Sequence, residues 1–131
     1  MPGTPSSPLA SLEQSEAWQQ HRRQLDEAWA KADTAIVKRL QARKLPVLLC
    51  GMLAPPNYGQ DYARQFNAIY PELAQQYGVP LYPFFLDGVA TVEKLNQPDG
   101  LHPTAEGVDV IVSRILPAVE AFVRSIGGQR S

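Results

Sequence analysis

The chain reads as an α/β fold with the order helix, strand, helix, strand, helix and with its two strands parallel. Three observations lead there. From about Leu12 to Arg43 no Gly or Pro occurs and Ala, Gln, Glu, Arg and Lys predominate, the composition of a long helix. Two short apolar runs, "LPVLLCG" and "VPLYPFFL", are strand-like. The segment between them has helical spacing, and a strand–helix–strand unit of this length closes by a right-handed crossover that leaves its strands parallel.

Each element has its own signal. Residues 1–11, opening with the Pro/Ser/Gly-rich "MPGTPSSPLA", predict a disordered leader ahead of a domain over residues 12–126. In the first helix, Trp18, Leu25, Trp29, Ile36 and Leu40 recur at seven, four, seven and four, a narrow apolar stripe. Trp18 and Trp29 are expected to anchor it by packing. The run Leu45, Val47, Leu48, Leu49 and Cys50 stops at Gly51 and predicts a strand buried on both faces. Cys50 reads there as a small core residue. "MLAPPNYG" is a loop, because Pro55 and Pro56 continue neither strand nor helix.

From Asp61, the residues Tyr62, Phe66, Ile69, Leu73 and Tyr77 mark a second helix closed by Gly78, with a kink or restart expected at Pro71. The second strand carries two prolines and is expected to be irregular or at an edge, with Tyr82, Phe84 and Phe85 in the core or a pocket wall. "DGVATVEKLNQPDGLHP" reads as loop. Thr104 is a fitting N-cap for a last helix in which Val108, Ile111, Val112, Ile115, Val119 and Phe122 form a strong stripe, bent at Pro117. Residues 127–131, "GGQRS", predict a frayed tail. Two parallel strands are too few to stand alone, since each leaves a bonding edge, so the pattern reads as part of a larger doubly wound domain.

The totals exclude several classes. At 131 residues the chain makes one domain at most, able to bury about two thirds of its unfolded surface if compact. The net charge of −1 and the lack of a basic run argue against a nucleic-acid surface. A single cysteine excludes an intrachain disulfide. No segment approaches 18 apolar residues, and the start lacks a basic, then apolar, export signal. A soluble, cytoplasmic protein is the expectation. His21, on a polar helix face, is expected to be solvated.

In open parallel sheets, functional groups gather on the loops beyond the carboxyl ends of the strands. Both such loops carry candidates: Asn57 and Tyr58 on one, Asp99 and His102 on the other. An i, i+3 spacing in a tight turn brings a carboxylate within reach of an imidazole, which it can orient as a general base. From spacing alone the plainer reading stays open: an aspartate capping a turn beside a surface histidine.

"DGLHPTAEGVDVIV" resembles the last motif block of the SGNH (GDSL) hydrolases, which holds that family's Asp and His. "PVLLCGMLAPPNYGQDYARQFNAIYPELAQQYGVPLYPFFLDGVA" resembles, almost continuously, the arylesterase/lysophospholipase/thioesterase branch. The likeness runs from near Ala35 to about Phe122. It implies a partial flavodoxin-like three-layer α/β/α domain that cleaves carboxylic esters or thioesters, of small molecules or lipids, through a Ser–His–Asp triad. His102 would be the base and Asp99 its orienting acid. Pro55, Pro56, Asn57 and Tyr58 would border the acyl pocket. Neither metal nor organic cofactor is implied.

The family's nucleophile lies in a Gly-Asp-Ser-Leu block and its oxyanion donors in two further blocks, and none of these occurs in the sequence. Ser6, Ser7, Ser11 and Ser15 follow no strand-like run, and Ser113 and Ser125 fall in the last helix, so none sits on a strand-to-helix elbow. The chain is therefore expected to carry the back half of such an enzyme. Three readings follow: a hydrolase by descent that is inactive alone, a half-enzyme completed by a separate Ser-bearing chain across the open sheet edge, or a self-associating module.

Overall fold

The computed structural model describes residues 15–128. Three helices, α1 (Glu16–Ala42), α2 (Gln60–Tyr77) and α3 (Ala105–Gly127), alternate with two strands, β1 (Leu49–Cys50) and β2 (Leu81–Tyr82). The strands pair in parallel, with Leu49 opposite Leu81 and Cys50 opposite Tyr82. This is the α/β order the sequence predicts. The leader expected over 1–11, and most of the 127–131 tail, lie outside the described residues.

The helix ends follow local chemistry. Ser15 caps α1 by accepting the Trp18 amide at 3.2 Å. Gly78 closes α2 in the left-handed region at φ 62°, and its N–H reaches the Ala74 carbonyl. Thr104 caps α3 by accepting the Gly107 amide at 3.1 Å. Helix α2 runs through Pro71 and α3 through Pro117 as single elements, so of the kink or restart expected at Pro71 the restart does not occur.

Helices α1 and α2 run parallel. Tyr62 Oη donates to Asp26 Oδ1 at 3.1 Å, and Gln41 Nε2 donates to the Tyr77 carbonyl at 2.7 Å, both pairs separated by 36 residues. Between them Asp33 hydrogen-bonds Tyr70, and Arg22 lies over the rings of Tyr58 and Tyr62. On α2 the rings of Tyr62, Phe66 and Tyr70 follow one another at centroid spacings of 5.9 and 6.4 Å.

This overturns the expected packing of α1. Trp18, Leu25, Trp29 and Ile36 are exposed, Trp29 at 65%. The face turned to α2 instead carries Arg22, Asp26, Asp33 and Val37, because a row of tyrosine hydroxyls needs polar partners when it is covered. The predicted stripe of α3 also divides: Ile111 is buried, whereas Val108 and Val112 are exposed. Val47 to Cys50 are half-buried rather than covered on both faces, and the strand is only two residues long. Tyr82 and Phe84 are half-buried, and Phe85 is exposed. Among the described residues the buried apolar side chains are Val37, Leu73, Ala74, Val89 and Ile111, a thin core. No helix of the described residues is long and apolar enough to cross a membrane.

Candidate active site

The loop expected over residues 87–103 is an ordered structure. Val89, fully buried, anchors its first turn. Asn96 Nδ2 donates to the carbonyls of Val89 at 2.8 Å and Val92 at 2.9 Å, clamping that turn against the single 3₁₀ turn Glu93–Leu95. Arg114 on α3 lies against Gly88 and pairs with Asp87 at 2.9 Å. The Thr104 amide donates to the Leu95 carbonyl at 2.9 Å, and Gly107 packs on that same carbonyl, too close for any Cβ. The start of α3 is thus held against the end of this segment.

Between Asn96 and Pro103, joined by one antiparallel bridge, the chain makes a tight turn. The Gln97 amide donates to the His102 carbonyl at 2.7 Å, and the Gly100 amide to the Gln97 carbonyl at 2.8 Å. Gly100 takes φ 70°, which glycine adopts without a Cβ penalty. Asp99 is fixed through both oxygens. Its Oδ1 accepts the amides of Leu101 at 2.9 Å and His102 at 3.1 Å. Its Oδ2 lies 2.6 Å from Nδ1 of His102. These bonds, the His102 ring first and the two amides next, hold the Asp99 carboxyl down at about 2. An ionised carboxylate only accepts, so Nδ1 carries the proton and Nε2 is left as the basic nitrogen. The His102 side chain is 71% exposed and that of Asp99 43%, so the pair faces open space.

The loop after β1 is built with equal economy. Gly51 passes so close to the Pro83 carbonyl that a Cβ would meet it at 2.4 Å, and its own amide donates to the Tyr82 carbonyl at 2.8 Å. The Ala54 amide donates to Asn67 Oδ1 on α2 at 2.7 Å. Pro56–Tyr58 form a single 3₁₀ turn that ends at Gly59, φ 91°. Pro55 and Asn57 are exposed, and half-buried Tyr58 meets Tyr62 edge-on at 5.5 Å. Asn57 and Tyr58 line a cavity of about 800 Å³ shared with the first turns of α1, and Asp99 and His102 are not part of its wall.

Asp99 and His102 are therefore brought into direct contact, and among the described residues no hydrogen bond joins them to the Pro55–Tyr58 loop. Ser113 and Ser125 donate to carbonyls of their own helix, Val110 at 2.9 Å and Phe122 at 2.6 Å, while Ser15 caps α1. Half-buried Cys50 has its thiol pKa pushed up by burial, which keeps it protonated and weakly nucleophilic. His21 is exposed beside Trp18. Two positioning residues escape a reading of the sequence: Asn67 bonds the backbone of the loop after β1, and Asn96 bonds carbonyls earlier in its own loop. Their one signal is an asparagine where a better helix or turn former would serve, as Asn67 does inside α2.

The sequence pattern of the GDSL-like Lipase/Acylhydrolase family matches residues 9–110, reaching further toward the amino terminus than the motifs quoted above. Esterase TesA of Pseudomonas aeruginosa is 34% identical over 89 residues, which is 68% of this chain and 44% of that protein. Thioesterase 1/protease 1/lysophospholipase L1 of Escherichia coli K12 is 34% identical over 88 residues, 67% of this chain and 42% of the relative. The crystal structure of TesA superposes with a TM-score of 0.69 at 30% identity, over 74% of this chain and 54% of that one. The chain thus spans less than half the length of these two relatives.

Proposed function

The chain belongs to the GDSL-like lipase/acylhydrolase family, and from that premise we propose that Asp99 and His102 are the acid and base of a carboxylic-ester hydrolase whose nucleophile lies outside these 131 residues. One observation carries the reading: Asp99 holds His102 Nδ1 at 2.6 Å while two backbone amides lock its other oxygen. A turn capped by an aspartate has no need of the second contact, whereas a general base does.

In this reading Nε2 of His102 removes the proton of a serine hydroxyl as that oxygen attacks the acyl carbon, then returns it to the departing alcohol or thiol. Water repeats the cycle on the acyl-enzyme. Asp99 keeps the ring in the required tautomer and balances the imidazolium. Pro55, Pro56, Asn57 and Tyr58 shape one side of the acyl pocket. Without a serine, turnover falls on the order of a million-fold, and each missing oxyanion donor costs roughly a further hundred- to thousand-fold. The chain by itself is catalytically silent.

The serine-bearing half is proposed to dock on the open sheet edge, and the two-stranded sheet and thin core support a partner there. Mixing the chain with a polypeptide that carries the Gly-Asp-Ser-Leu strand tests this, with hydrolysis of a short p-nitrophenyl ester as the readout. Activity that appears on mixing and vanishes in His102→Ala supports the reading. Concentration-dependent dimerisation, with no hydrolysis on mixing, favours a self-associating module instead.

A further inference from the structure

The cavity between α1 and the loop after β1 has a chemistry of its own. Its wall carries Trp18, Arg22, Arg23, Tyr58, Tyr62 and Arg64 around a volume of about 800 Å³. That size suits a small organic molecule. The guanidinium of Arg22 stands 3.5 Å from the Tyr58 ring centroid, 4.8 Å from Tyr62 and 5.7 Å from Trp18, so three rings surround one cation.

Asp61 is the one carboxylate on this wall, against three arginines, so the charge there is only partly offset. Arg64 pairs with Asp61 at 2.6 Å, but among the ion pairs of the described residues none takes Arg22 or Arg23. Arg22 lies over the rings of Tyr58 and Tyr62 rather than against a carboxylate. Helix α2 also begins at this wall without a side-chain cap, which adds to the positive potential. A chain of net charge −1 thus concentrates cations at one concave spot. Guanidinium groups favour oxyanions, and the flat rings beside them favour a flat apolar group.

We propose that this cavity binds a small aromatic oxyanion, a carboxylate or phosphate carried on a ring, with Arg23 and Arg22 on the anion and Trp18 and Tyr58 against the ring. The site shares Asn57 and Tyr58 with the proposed acyl pocket, but it does not rest on hydrolysis, since Asp99 and His102 take no part in it. Its test reads binding alone, so its failure leaves the hydrolase reading standing.

The chain holds two tryptophans, and only Trp18 lines the cavity. Phenyl phosphate titrated into Trp29→Phe, with Trp18 as the single indole, is expected to give a saturable fluorescence change. The change should be absent in Trp18→Phe. Arg23→Gln, at an exposed position where folding is indifferent to the substitution, should weaken binding roughly ten- to hundredfold. Added salt should weaken it as well. Benzyl alcohol, with a ring and no charge, and inorganic phosphate, with charge and no ring, should each bind more weakly than phenyl phosphate. The proposal is overturned by an absent saturable change, by unaltered affinity in Arg23→Gln, by a signal that persists in Trp18→Phe, or by benzyl alcohol binding as tightly.

Discussion

Asp99 grips His102 twice: Oδ1 accepts the histidine's backbone amide at 3.1 Å and Oδ2 lies 2.6 Å from its ring Nδ1. One carboxylate therefore sets both the turn and the orientation of the imidazole it serves.

That double grip has a signature in acid. The Asp99 carboxyl is held at about 2 against an ordinary 3.8, with the His102 ring the largest cause. The contribution of these contacts is complete above the ordinary value and is lost as pH falls through about 2. Carboxyl-carbon NMR should report that low midpoint in the native chain. In His102→Ala it should move up toward 3.8 while the two amide bonds remain. A midpoint unmoved by the substitution contradicts the assignment.

Asn96 is predicted to matter for stability more than its place in a polar stretch suggests. Asn96→Ala removes the side-chain donor from the carbonyls of Val89 and Val92, which keep only the amides of Val92 and Leu95. Loss of such bonds costs about 1–3 kcal/mol. A fall of that size should appear in urea unfolding, and a change below about 0.5 kcal/mol would show that the clamp is idle.

Two glycines should respond differently. Gly100→Ala meets open space and suffers only the left-handed backbone at φ 70°, a cost of about 1–2 kcal/mol. Gly51→Ala drives a Cβ to 2.4 Å from the Pro83 carbonyl oxygen, which belongs to the backbone and cannot swing away. The second substitution should lower the unfolding midpoint clearly more than the first, and equal effects would contradict the close approach of the two loops.

The sheet edge makes a prediction for amide exchange. Leu49 and Gly51 donate to the carbonyls of Pro80 and Tyr82, at 2.9 and 2.8 Å. The intervening Cys50 amide points the other way, toward the unpaired edge. Cys50 should exchange much faster than its two neighbours in the dilute chain, and it should become protected when a strand docks. Deep protection of Cys50 in dilute monomer would show the edge already covered.

The element order was legible because the signals are local. An apolar run ending at Gly51, another spanning Leu81 and Tyr82, and helices bounded by Gly78 and Thr104 need no knowledge of the rest of the chain. The packing of α1 was not legible. Its apolar spacing picks out Trp18, Leu25, Trp29 and Ile36, yet the neighbouring surface is the tyrosine row of α2, which takes Arg22, Asp26 and Asp33 instead. Polar residues at an interface look like a solvated face until their partners are known. The Asp99–His102 contact could be anticipated from a spacing of three in a Gly-bearing turn, but the support from Asn67 could not, because it reaches a backbone group that only the fold brings near, and Asn96 acts through a local turn that no motif marks.

In the proposed reading His102 and Asp99 are a base and its carboxylate, and among the described residues no serine hydroxyl bonds the His102 ring. Hydrolysis of a short p-nitrophenyl ester by the purified chain tests it most directly. The predicted result is a rate no greater than that of His102→Ala, with none of the turnover expected of a complete Ser–His–Asp site. A saturable rate that His102→Ala abolishes would contradict the account, because some group of this chain would then be supplying the nucleophile.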